Sequence, residues 1–460
     1  MRSRMRFIGG LGLVVLTMQA LAAGSPAMEV PSETWAPTGN MAQARSGASA
    51  ALLQDGSVLI AGGANGDVSL ASAELFKNGS FSATGSMLLA RSNAAAVALK
   101  DGRVLITGGS TASGPTSETE IYDPATGSWT IGNSMAASRW GHTATLLADG
   151  RVLIAGGQGS GAPGTTLEIF DAATGSFSLA GVLTTARSSH ATALLPDNRV
   201  LIAGGSDGSQ VLKSTEIFDP VSGSVSSGPD LSTQRAAHSA TTLLNGGVLI
   251  AGGSDGSQDL ASAELLPRSG AAFIATGNMA SPRRSHSAFL LSDNNSVLIV
   301  GGSADTAELY RPWSGAFVAT GAPAEWRGGA AGSTLHAEGL LLMAGGSSPS
   351  AELYGFPTVK TDKADYAPGT VVKITGSGWQ PGERVTLTLL EDPLIDTHPV
   401  MYATADASGH IAIYQFAPDE ADLNVRFYLT AVGSISQAQM TFTDSIQSVA
   451  VTFPLMLIGA

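Results

Sequence analysis

Four histidines, His142, His190, His238 and His286, stand 48 residues apart, and each follows an arginine by three positions. Neutral imidazole is a common metal ligand, so an arc of four could hold an ion. Each belongs to a different repeat unit, however, and no Asp or Glu completes a tight set by spacing. The expectation is therefore strand residues whose ring nitrogens meet neighbouring backbone, with no metal and no other cofactor. The arginines recur more widely, as Arg45, Arg91, Arg139, Arg187, Arg235, Arg283 and Arg327, and so do the acids Glu74, Glu120, Glu168, Glu216, Glu264, Glu308 and Glu352. A ring of guanidinium forks suits capture of carboxylate or sulfate groups. Seven identical solutions suit a scaffold better, because charges buried in a sheet persist only when paired.

Departures from the repeat are more informative for binding. Trp140 takes a place held mostly by small or polar residues, Arg284 adds a cation beside Arg283, and Trp326 precedes Arg327. Aromatic rings at a pocket mouth suit sugar rings or apolar ligand faces, although packing between repeats is the competing role. The candidate ligand-binding set is Arg139, Trp140, His142, Arg187, His190, Arg235, His238, Arg283, Arg284, His286, Trp326 and Arg327. No catalytic set emerges, since no acid–base pair, Gly-x-Ser-x-Gly elbow, phosphate loop or zinc-binding helix motif is present. The chain has no cysteine, which removes disulfides, thiolate ligands and a Cys nucleophile.

These residues ride on a repeat. Gly-Gly pairs begin at Gly62, Gly108, Gly156, Gly204, Gly252, Gly301 and Gly345, at intervals of 44 to 49 residues. Before each lies an apolar run such as "RVLIA" and, before that, a turn such as "QDG", "KDG", "ADG" or "LNG". Asp-Gly and Asn-Gly supply the positive φ of a tight hairpin, so each unit holds two antiparallel strands around that turn. A third strand follows, as in "TEIYD" or "SAELF", and a fourth after a "DPATGS"-type turn. Four short strands per unit of just under about 50 residues is the pattern of a β-propeller blade. Seven units end without a fourth strand for the last, while "WAPTGNM" precedes the first Gly-Gly pair. The N-terminal strand is therefore expected to complete the seventh blade.

The double Gly followed by Tyr122 and Trp129 in "IYDPATGSW" resembles the kelch repeat, over roughly residues 30–355. No Trp-Asp dipeptide argues for a WD-type propeller. From about residue 357 to 445, "DYAPGTVVKITGSGWQPGERVTLTLLEDP", "HIAIYQF", "NVRFYLTAVG" and "QAQMTFTD" alternate apolar and polar residues between turns, which predicts a small β-sandwich. It resembles the immunoglobulin-like modules of bacterial surface proteins. The expected fold is thus all-β, a seven-bladed kelch propeller followed by that sandwich. A propeller with a trailing sandwich also resembles the galactose-oxidase-like copper radical oxidases. That resemblance implies a Cys–Tyr thioether at the copper, which a chain without Cys cannot form. Sialic-acid mutarotases with kelch propellers are a second architectural likeness.

The first residues, "MRSRMR" and then "FIGGLGLVVLTMQALA", have the basic start, apolar stretch and small-residue end of a signal peptide over 1–22. Its removal takes Arg2, Arg4 and Arg6 and moves the formal charge from −13 to −16. Such an acidic surface excludes nucleic acid as a partner. Residues 446–460 form an apolar, Pro-interrupted tail too short to span a bilayer. The sequence expectation is an exported or cell-surface protein that binds extracellular carbohydrate or protein at the propeller mouth, with surface association through the second module. The alternatives are a carbohydrate-active enzyme of epimerase, mutarotase or oxidase type, and a structural envelope component.

Overall fold

A computed structural model describes residues 30–161, 163–335 and 339–444. The predicted signal peptide and the tail 446–460 lie outside the described residues. No helix among the described residues is long and apolar enough to cross a membrane.

Seven four-stranded antiparallel sheets follow one another along the chain. Blade 2 is representative, with strands Ala95–Ala98, Val104–Thr107, Thr119–Asp123 and Ser128–Ile131. Its first hairpin turns at Asp101-Gly102, where Gly102 takes φ +93°, a conformation that side chains resist. The second strand of every blade is buried at every residue, for instance Val58–Ala61, Val152–Ala155 and Val200–Ala203. A strand covered on both faces reads as an unbroken apolar run, and that is why "VLIA" recurs without alternation. The covering comes from adjacent blades. Each of the seven propeller core clusters combines residues of two neighbouring sheets, such as Leu153 and Leu167 with Val200 and Phe218.

Blade 7 combines Ala331–Thr334, Leu340–Ala344 and Ala351–Gly355 with the N-terminal strand Trp35–Pro37 at its outer edge. Trp35 stands opposite Tyr354, and their rings lie 5.0 Å apart. The same aromatic pairing joins third and fourth strands elsewhere, as with Tyr122–Trp129 and Tyr310–Phe317. Glu33 reinforces the closure through its backbone N–H, which donates to the Gly355 carbonyl at 2.7 Å, and through an ion pair with Arg311 at 3.0 Å.

Residues after the ring form a three-stranded and a five-stranded sheet, the latter containing the long strand Arg384–Asp392 and the pair Arg426–Val432 and Gln437–Asp444. The two share one core around Ile374, Trp379, Leu387, Phe427 and Phe442. This sandwich is docked on blade 6 by the hairpin turn Asp293-Asn294-Asn295. The Asn294 amide donates to the carbonyls of Pro357 and Gln437 at 2.7 and 2.9 Å. Asn295 donates to Gln439 Oε1 at 2.7 Å, and Trp313 Nε1 to Gln437 Oε1 at 2.8 Å. Strands in each blade alternate in direction, so this turn lies on the face opposite the Gly-Gly loops.

Candidate functional site on the Gly-Gly face

The repeated charges form an internal staple. In every blade the arginine Nη1 donates to the carbonyl of that blade's first Gly, at 2.8 to 3.3 Å. Nη2 meets the third-strand glutamate at 2.5 to 3.1 Å, with both side chains almost wholly buried. The glutamate's other oxygen accepts a backbone N–H from the chain crossing between blades, for example Ala136 to Glu168 at 2.8 Å. Burial lowers the Arg139 pKa while the Glu168 charge opposes that effect. Both Nη atoms are engaged inside the protein, and the Nε–H that stays without a partner in Arg91, Arg139, Arg187, Arg235 and Arg283 is buried. Arg139, Arg187, Arg235, Arg283 and Arg327 are therefore placed inside the ring, at 0 to 2% exposure.

The Gly-Gly pair carries this staple to the next blade. The second Gly donates its N–H to the following blade's arginine carbonyl, as in Gly63 to Arg91 at 3.0 Å, Gly109 to Arg139 at 2.9 Å and Gly346 to Arg45 at 2.9 Å. The last of these joins blade 7 to blade 1. At Gly62, which takes φ +65°, a Cβ would stand 2.6 Å from the Arg91 carbonyl oxygen. The repeat thus lets one backbone approach the next, and any side chain would hold the blades apart.

The four histidines are wedged in the same joints. The Cε1 of His142 and of His190 would each be 2.8 Å from a Cβ on the preceding blade's first Gly. His142 Nε2 pairs with Thr107 at 2.9 Å, His190 with Thr143 at 3.0 Å, and His286 with Ser239 Oγ at 2.9 Å. His238 faces blade 4, where Ala191 occupies the place of that Thr or Ser, and neither of its nitrogens has a hydrogen-bond partner. Desolvation, then the neighbouring arginines, lowers His142 and His190 to about 3 and His286 to about 4. His238 is lowered well below the ordinary value for the same first two causes. These are neutral packing groups inside the ring. Side-chain hydroxyls meet three of the rings, and the backbone of Arg187, Arg235 and Arg283 acts on His190, His238 and His286, as expected from sequence.

Two of the departures from the repeat do converge. Arg284 and Trp326 line a recess of about 550 Å³ on the Gly-Gly face, together with Ser46, Asn65, Ser303 and several glycines of blades 6, 7 and 1. Trp326 is 52% exposed, and its Nε1 donates to the Gly302 carbonyl at 2.8 Å. A Cβ at Gly328 would collide with the indole, so glycine there makes room for it. Arg284 leans on Asp259 at 3.3 Å, while Ser303 donates to the other oxygen of Asp259 at 2.5 Å. No Asp, Glu, His or Tyr lines the recess. Trp140 is 39% exposed and belongs to blade 3, its backbone bridged to Gln158. It is not part of this recess, so the two tryptophans of the candidate set stand in separate places. Asn65 and Ser46 were missed because they hold ordinary positions in the repeat. Only the fold brings them beside Trp326 in the recess lining.

A model of the Kelch motif matches residues 90–136 and 187–232. No curated protein matches. Among solved structures, the chain is similar to a fungal alcohol oxidase of the AA5 family in complex with copper. The TM-score is 0.60 at 16% identity, over 90% of this chain and 99% of that one. Identity at that level carries the fold alone.

The residues present do not build a copper radical centre. The chain has no Cys. Tyr122, Tyr310 and Tyr354 are fully buried in third strands, with their hydroxyls against Thr84, Thr276 and Thr320. The remaining four tyrosines lie in the C-terminal sandwich. Among the described residues, the propeller's imidazoles are the four locked between blades. Sequence, sheet order and comparison agree on the fold: a seven-bladed β-propeller that carries kelch motifs at 90–136 and 187–232, followed by a smaller two-sheet module, and similar in fold to a copper-binding AA5 alcohol oxidase.

Proposed function

We propose that this protein is an exported carbohydrate-binding protein, and that the recess under Trp326 takes a neutral sugar unit of an extracellular glycan. The observation that carries this reading is the half-exposed indole standing over a recess whose other polar groups are serine hydroxyls, Asn65 and one arginine already balanced by Asp259. An indole face suits the C–H face of a pyranose, and a few fixed polar groups orient its hydroxyls. The absence of a titratable pair from the recess lining favours binding over acid–base turnover. In this reading the docked sandwich spaces the propeller from the cell surface and leaves the opposite, Gly-Gly face open.

The test is a glycan-array screen of the purified protein, followed by titration of a bound glycan against wild type and Trp326→Ala. The reading expects binding that the substitution weakens by about tenfold or more, the scale of one lost stacked aromatic contact of about 1.5 kcal/mol. An array without signal would move the reading to a protein ligand or a structural envelope role. Turnover of a bound sugar would move it to an enzyme.

A further inference from the structure

The sandwich carries a cluster that the propeller reading leaves unused. Glu391 ends the long strand Arg384–Asp392 and is buried. The loop after it folds back so that Glu391 Oε2 accepts the N–H groups of Ile395 and Asp396 at 2.7 and 2.8 Å. That places His398 Nε2 2.6 Å from Glu391 Oε1 and 3.4 Å from Asp396 Oδ1. From a separate turn comes Asp422, only 1% exposed. Its Oδ2 accepts the Asp419 N–H at 2.7 Å. Its Oδ1 has no hydrogen-bond donor facing it and stands 3.9 Å from His398 Nε2, close enough to the Glu391 carboxylate that, without a cation, the two acids are held together only by a shared proton. One ligand atom from each of these four side chains lies within 4.8 Å of all the others.

Internal pairing leaves this arrangement incomplete. Three carboxylates converge on one imidazole, and among the described residues no Lys or Arg forms an ion pair with any of them. Asp444, also buried, adds a carboxylate without a hydrogen-bond partner to the same module. A buried carboxylate oxygen aimed at other carboxylates costs several kcal/mol unless a cation or proton sits between them. Four donors about 2.0 to 2.2 Å from a central ion would lie roughly 3.3 to 3.6 Å apart in a tetrahedron. His398 Nε2 stands 2.6, 3.4 and 3.9 Å from the oxygens of Glu391, Asp396 and Asp422, so Glu391 has to draw back from the imidazole to admit an ion.

We propose that Glu391, Asp396, His398 and Asp422 bind a divalent transition-metal ion of the zinc or manganese class. The nitrogen donor sets the class, because calcium and magnesium take oxygen ligands and their protein sites seldom include imidazole. Without an ion, His398 Nε2–H donates to Glu391 Oε1 at 2.6 Å; metal binding replaces that hydrogen bond, moves the ring proton to Nδ1 and turns the Nε2 lone pair to the ion, while the ring stays held against Phe416 and Phe427 at 5.0 and 5.5 Å. Bound metal ties the loop after Glu391 to the turn bearing Asp422, so it acts as a clip across one end of the sandwich.

The experiment is calorimetric titration of the chelator-stripped full chain with Zn²⁺, Mn²⁺ and Ca²⁺, with thermal melts in parallel. One equivalent of Zn²⁺ or Mn²⁺ is expected to bind and raise the melting temperature. Asp422→Asn and His398→Ala should each weaken that binding at least ~100-fold, beyond the 10- to 100-fold typical of second-layer partners. Should the buried Asp422 variant misfold, Asp396→Asn, at a half-exposed position, tests the same ligand set in a folded chain. Absence of a stoichiometric transition-metal site in wild type would overturn the proposal. So would binding indifferent to these substitutions, or Ca²⁺ binding that survives His398→Ala.

Discussion

At the scale of single residues, one type serves opposite ends depending on what its neighbours leave open. Arg283 and Arg284 are adjacent, yet the first is sealed against Glu308 and the second reaches the recess. Burial also makes the histidines a source of pH dependence. An unfolded chain binds protons at these positions below the ordinary value of 6.5, whereas folded His142 and His190 stay neutral down to about 3. Stability is therefore full above about pH 6.5 and falls as pH drops toward the folded values. Each imidazole contributes up to about 1.4 kcal/mol per pH unit. His238→Ala places at that joint the residue found at Ala48, Ala94 and Ala330. Because the folded His238 resists protonation far below the ordinary value, the variant should lose stability less steeply than wild type as pH falls below about 6. Urea unfolding across that range checks this, and curves parallel to wild type would refute it.

At the scale of elements, a hairpin turn can be punctuation in one blade and an interface in another. The turn of blade 2 bonds within the ring, where the Asp101 carboxylate accepts from Arg103 and Arg103 Nη2 reaches the Ala172 carbonyl of blade 3. In blade 6 the same position reads Asp293-Asn294-Asn295, and its amides hold the sandwich. Asn294→Ala would strand the buried carbonyls of Pro357 and Gln437, a cost of about 1–3 kcal/mol. The expected readout is faster proteolysis between the propeller and the sandwich, with the propeller's own unfolding unchanged. Sequence periodicity exposes the strands and turns because these depend on neighbours one to four residues away. It does not expose the docking role of Asn294, whose partners lie 63 and 143 residues off. The metal cluster escaped for the same reason, since "EDPLIDTH" reads as a loop until Asp422 is folded onto it. Spacing also could not say which way the seven arginines point, and that direction decides between staple and ligand ring.

For the whole molecule, closure is the property on which the ring depends. Each blade is covered on both faces by its neighbours, so an open ring would expose the faces of two sheets and an unpaired edge. Removing residues before Met41 deletes Trp35–Pro37 together with the Glu33 contacts. The loss should be about 3 kcal/mol or more, comparable to deleting a large packed aromatic. A chemical denaturation curve shows it directly, and an unchanged midpoint would contradict closure by this strand. Because the repeats are consumed by mutual support, the departures from them are what remain for recognition. Trp326 with Arg284 is the departure that makes a recess, whereas Trp140 stands apart from it. The most direct measurement is therefore glycan titration of wild type beside Trp326→Ala and Trp140→Ala, with melts of all three. Binding lost only in Trp326→Ala, at an unchanged melting temperature, is the predicted result. A glycan bound equally well without the Trp326 indole, or no glycan bound at all, would contradict it.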